Sequence, residues 1–121
     1  MMTSKELNIK LITTFPELET QYREETEWQD GDDTGSHSVY EHVLTAVIKF
    51  LLRGKNFDLA KIYLEFVESI LASGDEYADE VAAISVIESL VYDKFDENDI
   101  LPLLGPESLK TWRGYDDWKR K

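Results

Sequence analysis

The chain has 121 residues, 25 of them acidic and 13 basic, for a formal net charge of −12. It has no cysteine, which excludes disulfides, thiolate metal sites and thiol nucleophiles. With 42% hydrophobic and 12% aromatic residues it is not disordered by composition, and its length predicts one domain over residues 1–121.

The first predicted element runs from about Ser4 to Thr14. Thr3 and Glu6 have the spacing of a capping box, and Leu7 and Leu11 share a helix face. A strand is the rival, because Leu7, Ile9 and Leu11 also alternate. Pro16 suits the first turn of a second helix, capped by Thr14 or Phe15 and ending near Trp28. An acidic loop follows to Gly35. A third helix is expected from about Ser38 to Arg53, with Val39, Val43, Leu44, Val47, Ile48, Leu51 and Leu52 inward and Gly54 as its C-cap.

A fourth helix opens at Asn56 or Phe57 and ends near Ser73, with Gly74 as the cap. Its expected stripe is Leu59, Ile62, Tyr63, Phe66, Val67, Ile70 and Leu71. The fifth spans about Asp75 to Tyr92 with Tyr77, Val81, Ile84, Ile87, Leu90 and Val91 inward. A short helical turn starts at Asn98 or Asp99, and Pro106 begins a last helix through Leu109, Trp112 and Arg113. Residues 114–121 then read as a flexible charged tail. The fold class is all-α: six or seven helices in an antiparallel bundle or a short stack of helical hairpins, since short connections place successive helices antiparallel.

Charge is uneven. Glu17, Glu19, Glu24, Glu25, Glu27, Asp30, Asp32 and Asp33 face a single base, Arg23, in one stretch, whereas the chain from Lys110 onward is basic. A field of this sign repels nucleic-acid phosphates and speeds the approach of basic proteins. The expected partner surface comprises Glu24, Glu25, Glu27, Trp28, Asp30, Asp32 and Asp33, with Trp28 or Tyr22 as the side chain buried on docking. No apolar run approaches the roughly 18 residues of a membrane span. The start, Met1 to Glu6, carries no signal-peptide pattern, so a cytoplasmic setting without a membrane partner is expected.

Two chemistries compete with that reading. Residues 30–41 follow part of a twelve-residue calcium loop, with Asp30, Asp32, Thr34 and Glu41 as ligands and Gly35 at the turn. Thr34 stands where Asp or Asn is usual, and His37 where the motif has an aliphatic residue. The second is a small hydrolase built on paired carboxylates. Glu41, Glu65, Glu68 and Glu88 are the carboxylates set within apolar stretches. His37 and His42 lack the partners of a zinc site. No cofactor and no catalytic residue is indicated.

The run Phe15-Pro16-Glu17-Leu18, the acidic stretch to Trp28, then His37, Val39, Val43-Leu44, Leu64 to Asp75, Ser85-Val86-Ile87-Glu88, Leu104-Gly105-Pro106-Glu107-Ser108 and Trp112 resembles a family of small acidic bacterial proteins of unknown function. The resemblance covers nearly the whole chain. It implies an all-α fold and a protein-binding role, with some members in settings typical of immunity proteins of bacterial toxin systems. The expected function is therefore a non-enzymatic module that docks a basic protein, such as an immunity protein neutralising a basic toxin.

Overall fold

Thr3 starts the first helix. Its Oγ1 accepts the Glu6 N–H at 3.1 Å, and the Glu6 carboxylate accepts the Thr3 N–H at 3.0 Å. Helix α1 (Ser4–Thr14) buries Leu7 and Leu11 and leaves Ile9 exposed. A strand would have put all three on one face. Pro16 opens a 3₁₀ turn (Pro16–Leu18) that leads into α2 (Glu19–Thr26), whose inner face is Leu18, Tyr22 and Thr26. A second 3₁₀ turn (Gly31–Asp33) precedes the central helix.

The computed structural model describes residues 1–119, and no strand occurs among them. Three long helices form the core. Helix α3 covers 36–53, α4 is Phe57–Leu71, and α5 covers 76–91. Each of the three packs on the other two, because connections of a few residues fold each helix back on the last. Helices α1 and α2 lie against α3.

Helices α3 and α5 each contain a π-helical stretch, Tyr40–Thr45 and Ala82–Glu88, and the two stretches face each other. Thr45 Oγ1 donates to the Ser85 carbonyl at 2.7 Å, and His37 Nδ1 bonds Ser85 Oγ at 2.7 Å. An i→i+5 pattern widens the turn by one residue. After Val81 the inward positions are therefore Ser85 and Val86, and Ile84, expected inside, is exposed. In α4 the buried stripe includes Ala60 and Leu64, so Leu59 and Ile62 stand at its exposed rim instead of inside.

Gly54 caps α3 at φ −82, but the left-handed residue is Lys55, at φ 57. Lys55 N–H donates to Leu52 O at 3.1 Å and Asn56 N–H to Leu51 O at 2.9 Å, the paired bonds of a Schellman turn. Gly74, after α4, has φ 79 and open space where a Cβ would stand. Gly74→Ala is therefore a pure backbone perturbation. It is expected to lower the unfolding free energy by about 1 kcal/mol in a urea titration.

Asp96, rather than Asn98 or Asp99, caps the short helix α6 (Glu97–Ile100). Helix α7 (Pro106–Lys119) lies across α4 and α5. It does not stop at Arg113 but runs through Gly114 to Lys119, so the stretch read as a tail is helical up to that point. Arg120 and Lys121 lie outside the described residues. Glu68 of α4 receives the start of α7: its carboxylate accepts the Glu107 N–H at 3.1 Å, the Ser108 N–H at 2.9 Å and the Ser108 hydroxyl at 2.9 Å. No helix among the described residues is long and apolar enough to cross a membrane.

Candidate functional site

The acidic segment splits into an inward and an outward set. Glu25 of α2 turns toward α3, accepting from Ser38 Oγ at 2.5 Å, His42 Nδ1 at 3.0 Å and Gln29 Nε2 at 3.0 Å. Burial pushes its carboxyl up, but the bonds from Ser38, His42 and Gln29 outweigh burial and hold it below the ordinary value. Asp32 accepts the Tyr22 hydroxyl at 2.7 Å and lies 3.5 Å from the Arg23 guanidinium. Tyr22 itself is fully buried, so it is a core residue and not an anchor for a partner. Burial and Asp32 together push its hydroxyl pKa up. Glu24, Glu27, Asp30 and Asp33 remain exposed, as does Trp28, which is 74% exposed.

The four residues read as calcium ligands are not brought together. Thr34 is buried, and its hydroxyl is used within the loop: it donates to Gly31 O at 2.7 Å and accepts the Asp30 N–H at 3.2 Å. Glu41 sits on the other side of α3, its carboxylate 3.4 Å from Ser89 Oγ on α5. Helical spacing explains the divergence. His37, Glu41 and Thr45 recur at i, i+4 on the face toward α5, whereas Ser38 and His42 form the face toward α2. No group of three or more His, Asp or Glu among the described residues is arranged to hold a metal ion.

The 30–36 loop is fixed instead by a side chain that sequence reasoning passed over. Asn8, buried in α1, donates from Nδ2 to Thr34 O at 2.6 Å and to Asp32 O at 3.1 Å. Its Oδ1 accepts the Ser36 hydroxyl at 2.8 Å. An isolated Asn on an otherwise apolar helix face is the sequence signal for such a clamp.

A second surface lies on the outer side of α5. A groove of about 540 Å³ between α5 and α7 is lined by Asp79, Ala83, Glu88, Tyr92, Tyr115 and Trp118 among others. Two smaller hollows, of about 480 and 430 Å³, continue along α5 past Ile84. Trp118 is 69% exposed and Tyr92 46% exposed. Burial, and then the negative charge of Glu88 and the hydrogen bond the hydroxyl donates to it, push the Tyr115 hydroxyl up. Helix α5 carries Glu76, Asp79, Glu80 and Glu88 and not one basic residue. This surface needs α7 to continue past Gly114, which the glycine and the charged end of the chain concealed.

Over residues 9–119 the chain matches the family model described as a domain of unknown function (DUF7674). No curated protein and no solved structure matches it.

Proposed function

The chain belongs to the DUF7674 family, a domain of unknown function, and we propose that it is a non-enzymatic binding module that docks a basic protein. The observation that carries this reading is Trp28: a tryptophan 74% exposed, in a segment whose Glu24, Glu27, Asp30 and Asp33 are exposed as well. Tryptophan is enriched among residues that dominate binding energy, and exposed carboxylates steer a cationic surface into place. The Asn8 clamp supports the reading, since it holds the loop in shape before any partner arrives. A toxin with a cationic cleft, neutralised in the cytoplasm of a bacterium, is the partner class that fits this surface best. A hydrolase has less support: Asp79 and Glu88 share a groove but stand nine residues apart on one helix, roughly 13 Å of rise.

Reversing charge at Glu24, Glu27 and Asp33 to lysine tests it. Association with a basic partner should slow about tenfold at low salt, and the gap should close near molar salt. Trp28→Ala should instead speed dissociation. Stopped-flow rates that ignore both changes would refute the proposal.

A further inference from the structure

We propose that the Tyr92 end of the groove between α5 and α7 is a cation subsite that receives a lysine side chain of a partner polypeptide, and that the chain's own Lys119 holds this place in the free protein. Lys119 Nζ donates to the Val91 carbonyl at 3.0 Å and stands 5.6 Å from the centroid of the Tyr92 ring. Val91 is the last residue of α5, so its carbonyl is one of those that a helix end leaves unpaired, at the negative end of the helix dipole. An ammonium there gains a carbonyl, a dipole and an aromatic face together. Tyr92 also lines the groove, whose other walls are the Tyr115 and Trp118 rings and the carboxylates of Asp79 and Glu88.

The chemistry selects the occupant. Exposed aromatic faces beside carboxylates, on a helix with no base of its own, disfavour an anion and match an ammonium on an apolar stem. Lysine is such a group: its methylenes cover Trp118 while its head meets the Val91 carbonyl and the Tyr92 ring, one helical turn from Glu88. Neighbouring cations are already committed. Lys49 and Arg53 lie 3.4 and 2.8 Å from Asp93, just beyond the end of α5. Lys119, on the last turn of α7 and solvent-exposed, is the cation that an incoming lysine displaces. The site stands apart from the Trp28 surface, which lies by α2 on the other side of α3, so either assignment survives failure of the other.

The test is a titration of the full chain with tetralysine, and separately with its fully acetylated form, followed through the indole N–H signals of the tryptophans. Tetralysine should shift the Trp118 signal, and the acetylated peptide should not. Lys119→Gln should tighten binding about threefold by removing the resident competitor, and Glu88→Gln with Asp79→Asn should weaken it. Glu24→Lys with Glu27→Lys should leave the Trp118 response unchanged. An unmoved Trp118, an equal response to the acetylated peptide, or weaker binding by Lys119→Gln would each overturn the proposal. A response that the Glu24 and Glu27 changes abolish shows diffuse attraction and also overturns it.

Discussion

Asn8→Ala is expected to lower the unfolding free energy by about 3 kcal/mol, as a fall in the urea midpoint at unchanged slope. Asn8 is fully buried and makes three hydrogen bonds. Truncation leaves the Thr34 and Asp32 carbonyls without this donor, and each buried polar group so stranded costs about 1–3 kcal/mol, whereas the Ser36 hydroxyl keeps the Ser4 carbonyl at 3.1 Å. Asn8→Leu restores the volume but not the bonds, so it should not rescue. Asn8→Asp retains an acceptor for Ser36, loses the donor and buries a charge, and should be worse than alanine. Ser36→Ala is milder, because Asn8 keeps both carbonyls. The loop that presents Asp30 and Asp33, just after Trp28, hangs on this clamp, so the Asn8 variants should also bind a basic partner more slowly at temperatures where they remain folded. A loss below about 1 kcal/mol for Asn8→Ala would mean that the loop is held from elsewhere.

The local signals were legible where backbone chemistry alone decides. The Thr3–Glu6 box and the Leu7 and Leu11 spacing place α1, and Gly74 sits at the left-handed position after α4. The signals that misled were those that depend on a neighbour. Ile84 reads as inward at 3.6 residues per turn, but Ser85 takes that place because Thr45 and His37 of α3 bond to it across facing π-helical stretches. Gly54 is the C-cap of α3, as its place in the sequence indicates, and only the left-handed position falls one residue later, on Lys55. Glu41, Glu68 and Glu88, conspicuous only as carboxylates among apolar residues, each bond a helix other than their own: Ser89 on α5 for Glu41, and the start of α7 and Tyr115 on α7 for the other two. Composition marks the acidic segment as a surface, yet it cannot tell Glu25, which is tied to α3, from Glu24 beside it, which is exposed.

Glu68→Ala should detach the start of α7 and lower the unfolding free energy by about 2 kcal/mol at neutral pH. The carboxylate takes two backbone N–H groups that a helix start leaves unpaired, together with the hydroxyl of buried Ser108. Gly105 explains how it comes so close: a Cβ there would lie 2.5 Å from the Glu68 carboxyl carbon, so Gly105→Ala should displace the carboxylate and reproduce much of the loss. Burial raises the Glu68 carboxyl, but the bonds from Ser108 and Glu107 outweigh it and leave it below its ordinary 4.5. A depressed folded value fixes the sign: the contribution is complete above the unfolded carboxylate value and is lost as pH falls through the folded one. The gap between wild type and Glu68→Ala in urea titrations should therefore be full at pH 7 and narrow at pH 3, while Glu68→Gln, which keeps one acceptor oxygen, should fall between them at pH 7. Because α7 carries Tyr115, Trp118 and Lys119, Glu68→Ala should also blunt the tetralysine response of Trp118. A gap that stays constant from pH 7 to pH 3 would show that the carboxylate's charge contributes nothing to docking α7.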